Sequence, residues 1–136
     1  MRLVLDTNVI ISALLFDGLP EQLLLSTLGG SHELVLSSYI VSETTYILED
    51  KFKVEPSNIK LLQQLLNEGE VMYFQPFLNV VDDEPDNRIL ETGVKGNVEY
   101  LVTGDKHLLD LKKYKSIKII SVRDCVTALA LNLTNT

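Results

Sequence analysis

The stretch Arg2-Leu3-Val4-Leu5-Asp6, close to the start of the chain, decides how the rest can be organised. Three apolar residues in a row, with no polar alternation, are typical of a strand buried on both faces of a parallel sheet. The aspartate that follows them favours the start of a helix, because Asp is a preferred N-cap residue. The stretch therefore predicts an α/β protein whose first strand, residues 2–6, lies inside the sheet.

Four more short apolar runs follow, and helical patterns separate them. The further strands are predicted at Glu33–Leu36, Val71–Phe74, Tyr100–Thr103 and Ile117–Ile120. Helices are predicted at 10–28, interrupted by a Gly-Pro cluster, and at 38–50, 56–69, 85–94, 106–111 and from 122 onwards. Strands that alternate with helices indicate crossover connections, and hence a parallel sheet with helices on both faces.

Length and composition indicate a globular protein. The chain has 136 residues, of which 46% are hydrophobic and 23% are charged. We expect a single domain over residues 1–136, since the chain has a typical domain length and no stretch resembles a linker. No apolar run approaches the ~20 residues that cross a bilayer, so we expect neither a membrane span nor a signal peptide. A single cysteine, Cys125, cannot form an internal disulfide, which favours the cytoplasm.

The charge of the chain argues against a simple nucleic-acid-binding protein. The net charge is −7, and a basic excess is found only in residues 101–136. Proteins that bind nucleic acids usually carry a basic surface, so such a role requires a local basic patch or bound cations.

Four carboxylates are predicted to meet at one edge of the sheet. Asp6 ends the first strand, Asp105 follows the fourth, and Asp86 opens the helix before the fourth strand. Ligands of open parallel sheets gather at the carboxyl ends of the strands. Glu43 is the fourth candidate, because it lies beside an apolar stripe of its helix, where an unpaired carboxylate is costly.

Each of these acids also has a purely structural interpretation. Asp6 and Asp105 fit helix N-caps, and Asp83 with Asp86 fits a capping arrangement in the first turn of a helix. Glu43 fits a surface position if the helix is slightly rotated from the predicted phase. The functional hypothesis depends on the convergence of all four acids.

Several carboxylates in one crevice indicate a divalent cation. Like charges that lie close together repel each other unless a cation separates them. Oxygen ligands favour Mg²⁺ or Mn²⁺ over zinc, and Mg²⁺ commonly joins protein carboxylates to phosphate oxygens. The pattern therefore predicts a site for phosphoryl transfer, in which no side-chain nucleophile is required.

Four segments of the chain together resemble the PIN-domain nucleases: Leu3–Val9, Ser42-Glu43, Asp83–Asn87 and Leu101–Lys106. The resemblance spans nearly the whole chain and is closest to the short VapC-like toxins of toxin/antitoxin pairs. It implies a three-layer α/β/α fold with a central five-stranded parallel sheet. It also implies endonucleolytic cleavage of single-stranded RNA, a cognate antitoxin and a homodimer.

The resemblance also assigns roles to particular residues. It implies that the catalytic acids bind Mg²⁺ or Mn²⁺ and that two further polar residues orient them. The implied metal ligands are Asp6, Glu43, Asp86 and Asp105, and the supporting residues are Asn8 and Thr103.

The basic residues that follow Asp105 are candidates for contacts with the RNA backbone. We single out Lys106, Lys112 and Lys113, because a basic rim beside metal ions could follow a chain of phosphates. The alternative is an ordinary solvated lysine surface.

Three other functions compete with the nuclease hypothesis. A haloacid-dehalogenase-like phosphatase needs a second aspartate two residues after the first, and that position is Asn8. A receiver domain needs an acidic pair after its first strand, where this chain has only Asp6. A non-catalytic PIN-like module that binds RNA or protein remains open, although the presence of all four acids argues against it.

Overall fold

The computed structural model describes residues 1–134, within which the chain forms seven helices and six strands. Residues 135 and 136 of the predicted domain lie outside this described part. The strands are β1 (Arg2–Leu5), β2 (Glu33–Ser37), β3 (Glu70–Met72), β4 (Tyr100–Val102), β5 (Lys113–Tyr114) and β6 (Ile117–Ile120). The helices are α1 (Thr7–Leu15), α2 (Leu19–Leu28), α3 (Ser38–Asp50), α4 (Lys60–Glu68), α5 (Glu84–Lys95), α6 (Lys106–Leu111) and α7 (Val122–Thr134).

The strands form one sheet in the order β3-β2-β1-β4-β6-β5. The first five strands of this order are parallel, which confirms the predicted parallel sheet. The sixth, β5, pairs antiparallel with β6 and was not predicted. It is only two residues long and begins with a lysine, so it lacks the apolar run by which the other strands are recognised.

Helices cover both faces of the sheet, as predicted. Successive strand residues point to opposite faces, and Leu3, Val4 and Leu5 of β1 are all fully buried. Helix α5 packs against β1 and β2, whereas α7 packs against β4 and α6 against β6. Helix layers on both faces of the sheet exclude water from β1. This is why the three consecutive apolar residues after Arg2 identify a central strand.

Several predicted element boundaries were wrong. The first helix, expected from residue 10, begins at Thr7. The helix expected to open at Pro56 begins instead at Lys60, because Pro56–Asn58 forms a separate 3₁₀ turn. The strand expected at Val71–Phe74 is found at Glu70–Met72. The residues after it leave the sheet and run as an irregular segment to the start of α5.

The strand order places a switch point between β1 and β4. The chain proceeds from β1 through β2 to β3 on one side, and the later strands are added on the other side of β1. Leu5 pairs with Val102, and the Asp6 amide donates to the Val102 carbonyl at 2.9 Å. Such switch points leave a crevice outside the carboxyl ends of the two strands, where α/β proteins bind ligands.

No single helix within residues 1–134 is long and apolar enough to span a membrane. Helices α1 and α2 pass the length and composition test only as a pair, which is bent by 96° at its break.

Gly96, directly after α5, is expected to be intolerant of a side chain. A Cβ there would lie 2.5 Å from Val35 Cγ1, inside the core of the sheet. We expect Gly96→Ala to destabilise the protein by roughly 1–3 kcal/mol through overpacking. Thermal unfolding measures this, with Gly104→Ala as the matched control, because a Cβ at Gly104 would meet nothing within 4 Å. Equal melting temperatures for the two variants would contradict this packing.

Candidate metal centre

Asp6 lies at the end of β1 and caps helix α1. Its Oδ1 accepts a hydrogen bond from the Asn8 amide at 3.4 Å, and its Oδ2 accepts one from the Thr103 hydroxyl at 2.6 Å. Burial raises the pKa of Asp6, the hydrogen bond from Thr103 lowers it, and the negative charge of Asp105 raises it. The net effect is a raised pKa, so this carboxylate is held at the switch point at an electrostatic cost.

Asp105 follows β4 and caps α6. Its Oδ1 accepts hydrogen bonds from the amides of His107 and Leu108, at 2.7 and 3.4 Å. The Asp105 amide donates to the Thr103 hydroxyl at 3.0 Å. Thr103 is fully buried and therefore links the two acids through one oxygen, since its hydroxyl also donates to Asp6. This geometry supports the orienting role expected for Thr103.

Asp86 is the most perturbed acid of the group. It lies in the first turn of α5 and is only 7% exposed, and its Oδ2 has no hydrogen-bond partner among the described residues. Burial raises the pKa of Asp86 to about 7, with further contributions from Asp105, Asp83 and Asp6. The electrostatic influence of Asp105 and Asp6 shows that Asp86 joins them at the same edge of the sheet.

Glu43 reaches the same edge from helix α3. It is half-buried, while its helix neighbours Ile40 and Thr44 are fully covered by the core. Burial raises the pKa of Glu43, as do the charges of Asp6 and Asp83. The electrostatic influences thus link Glu43 to Asp6, Asp6 to Asp105, and Asp86 to both Asp6 and Asp105.

Of the four acids, Asp86 lines a cleft of about 530 Å³. Its lining consists of Val80, Val81, Asp82, Asp83, Asp86 and His107. The sequence predicts a helix cap at Asp83, and the structure confirms it. Asp83 Oδ1 accepts a hydrogen bond from the Asp86 amide at 3.1 Å. The electrostatic effect of Asp83 on Asp86 and Glu43 was missed, as was the place of His107 in the cleft wall.

Asn8 and the three predicted RNA-binding lysines lie at different distances from the acids. The exposed side chain of Asn8 lines a second groove with Thr103 and Gly104, while its backbone amide caps α1. Lys106 is exposed and directly follows Asp105. Exposed Lys112 and Lys113 lie beyond the far end of α6, about 9 Å along the six-residue helix. Only Lys106 therefore directly adjoins the acids.

The chemistry of these residues fits a divalent cation. Asp86 Oδ2 is buried without a partner, and the hydrogen bonds from the helix amides to Asp6 and Asp105 use only Oδ1. Acids that raise one another's pKa are stabilised when a cation lies between them. Within residues 1–134, however, no three His, Cys, Asp or Glu side chains are close enough to hold an ion together. Metal binding would therefore require the carboxylates to move towards each other.

The sequence also matches a model of the PIN domain, over residues 2–107. The chain belongs to the PIN-domain family. PIN domains are generally nucleases, which agrees with an acidic site at the carboxyl edge of the sheet. No curated protein sequence matches the chain.

A solved structure shares the fold of this PIN domain. It is a chain in the crystal structure of VapBC2 from Rickettsia felis bound to a DNA fragment from their promoter. The two chains are 17% identical with a TM-score of 0.63, and the match covers 89% of this chain and 98% of that one. The similarity supports the three-layer α/β/α architecture.

Removing the charge of Asp86 is expected to stabilise the metal-free protein. Because the folded state holds the Asp86 proton up to a pKa of about 7, and the unfolded chain releases it near 3.8, stability falls between these pH values. A pKa shift of this size corresponds to a loss of roughly 4 kcal/mol in the free energy of unfolding. Because solvent in the open cleft screens the charge, we expect an actual loss on the order of 1–2 kcal/mol. We expect Asp86→Asn to raise the melting temperature in EDTA at pH 8 by roughly 3–6 °C.

The gain should be much smaller at pH 5, where the wild-type carboxyl is still largely protonated. Asp110→Asn is the matched control, since Asp110 is exposed and lies outside the cleft lining. A variant whose melting temperature equals that of the wild type at both pH values would show that Asp86 carries no such electrostatic cost.

Proposed function

We propose that this PIN domain is a metal-dependent endoribonuclease that hydrolyses phosphodiester bonds of single-stranded RNA. The observation that carries the proposal is that neighbouring acids raise the pKa values of Asp6, Glu43 and Asp86 at the carboxyl edge of the sheet. Asp86 also lines the cleft, and its Oδ2 is buried without a hydrogen-bond partner among the described residues. A carboxylate is kept in such a place at a cost to stability, which is typical of a site built to hold a ligand.

Asp6, Asp86 and Asp105 would hold a Mg²⁺ or Mn²⁺ ion, and Glu43 would help to place a second ion or to orient water. When bound, such an ion supplies a Lewis acid for a phosphate oxygen and lowers the pKa of water. Thr103 fixes Asp6 through its hydroxyl and fixes the backbone of Asp105 through its oxygen. Asn8 would help to orient the carboxylates, and its backbone amide donates to Asp6 Oδ1.

The lysine-rich segment after Asp105 supports a polyanionic substrate. Lys113 of β5 stands directly opposite Lys118 of β6, a pairing of like charges that destabilises a sheet in the absence of an anion. The segment that follows Asp105 also carries the basic excess of an otherwise acidic chain.

The cellular role that we propose is that of the toxin in a type II toxin/antitoxin pair in the cytoplasm, acting as a single domain and as a homodimer. The fold shared with a chain of the VapBC2 structure supports this role. Co-purification of a small partner from the native host tests the pairing.

Cleavage of a panel of short single-stranded RNAs tests the nuclease activity. We expect cleavage with Mg²⁺ or Mn²⁺, no cleavage with EDTA, and a loss of at least about a hundredfold for Asp86→Asn. Asp110→Asn, purified identically, should cleave like the wild type because its carboxylate is exposed and outside the cleft lining.

Equal cleavage by the wild type and Asp86→Asn would overturn the site assignment and indicate a contaminating nuclease. If the wild type binds RNA but cleaves none of the panel, the activity proposed here is contradicted. A non-catalytic PIN-like binding module would then be the better account.

Salt dependence of RNA binding tests the lysines in an Asp86→Asn background, which prevents cleavage. Each lysine that neutralises a phosphate contributes about 0.7 to the slope of log K against log salt for a single strand. We expect the combined Lys106→Gln, Lys112→Gln and Lys113→Gln variant to flatten that slope by about 2. The control variant replaces three other exposed lysines, which lie outside the segment after Asp105: Lys51, Lys53 and Lys60. Equal slopes for the two variants would contradict contacts between Lys106, Lys112 and Lys113 and the RNA phosphates.

A further inference from the structure

The wall of the acidic cleft is made by an irregular segment, residues 75–83, here called the cleft loop. Val80, Val81, Asp82 and Asp83 of this loop line the cleft together with Asp86. Among the described residues, no backbone-to-backbone hydrogen bond joins residues 75–82 to the rest of the chain. A loop without such bonds depends on side chains to satisfy its amides and to fix its shape.

Glu91 of α5 holds the first part of the cleft loop. Its Oε2 accepts hydrogen bonds from the Phe77 amide at 2.6 Å and the Leu78 amide at 2.7 Å. Its Oε1 forms an ion pair with Arg88 Nε at 2.6 Å, and Arg88 also donates to the Leu78 carbonyl at 3.3 Å. Glu91 is fully buried, and among residues 1–134 this cation and these two amides compensate its charge.

Asn87, one helical turn earlier on the same side of α5, holds the second part. Its Oδ1 accepts from the amides of Val80 at 2.9 Å and Val81 at 3.1 Å, and its Nδ2 donates to the Val81 carbonyl at 2.8 Å. Asn87 is also fully buried. Two side chains of α5 therefore fix four amides of the loop, directly beside the acid Asp86.

We propose that Asn87 and Glu91 are positioning residues for RNA cleavage, which hold the cleft loop as a rigid wall against which the RNA strand binds. This inference rests on the proposed nuclease function. The wall contacts the RNA strand both in the enzyme–substrate complex and in the transition state. It therefore stabilises the two states equally, and its loss raises KM without lowering kcat. A loop released from α5 would have to be ordered each time RNA binds, at an entropic cost.

The test compares Asn87→Ala and Glu91→Gln with Thr92→Val. Thr92 is buried on the same helix and donates to Ser37 Oγ at 2.8 Å, so its replacement also removes a buried hydrogen bond without touching the cleft loop. Each variant is measured by thermal unfolding, Mn²⁺ affinity, amide hydrogen exchange of residues 77–81, and the kinetics of RNA cleavage.

We expect Asn87→Ala to speed exchange of the Val80 and Val81 amides and to raise KM at least about fivefold, with kcat and Mn²⁺ affinity within twofold of the wild type. Glu91→Gln retains an acceptor oxygen and folds more readily than a truncation, so its KM should rise less. Thr92→Val should lose stability with an unchanged KM.

Two outcomes would overturn the proposal, and they are distinguishable. If the wild type cleaves RNA but the two loop variants keep its KM, like Thr92→Val, then Asn87 and Glu91 serve only the stability of the fold. If the wild type cleaves no RNA, the nuclease function fails first, and the positioning role fails with it, whatever the exchange rates show.

Discussion

The structure depends on one electrostatic constraint, the mutual repulsion of Asp6, Asp86 and Asp105 near the switch point between β1 and β4. The fold offsets this repulsion with helix amides that donate to Asp6 and Asp105 and with the buried hydroxyl of Thr103, which donates to Asp6. The same hydroxyl accepts from the backbone amide of Asp105 and so fixes the position of that residue. Asp86 has no comparable compensation for its Oδ2 within the described residues. An acidic edge built in this way is more stable with a cation than without one, which links the fold to the proposed chemistry.

Helix α5 joins three tasks that are usually spread over several elements. Its first turn carries Asp86, its buried polar side chains fix the cleft loop, and its apolar side packs on β1 and β2. The acidity of the whole protein is compatible with an RNA substrate if bound ions neutralise the cleft, since the segment after Asp105 carries a local basic excess. The shape of the cleft and its charge are set by the same twelve-residue helix.

The sequence was informative wherever a local pattern decides the structure. Local rules explain the apolar run of β1, the acids that cap α1 and α6, and the alternation of strands with helices, and they led to the parallel sheet. The short β5 and the roles of Asn87 and Glu91 did not follow. A polar residue on a helix resembles a solvated one until the fold shows that a distant loop covers it, and Glu91 is buried only by such tertiary contacts.

Anomalous diffraction from crystals equilibrated with Mn²⁺ tests the central claim most directly, because it locates the ion without requiring a known RNA target. The account predicts an anomalous peak at the carboxyl edge of the sheet, in contact with Asp6, Asp86 and Asp105, and the loss of that peak in Asp86→Asn crystals. Saturating Mn²⁺ that leaves this edge empty, or a peak that persists unchanged in Asp86→Asn, would contradict it.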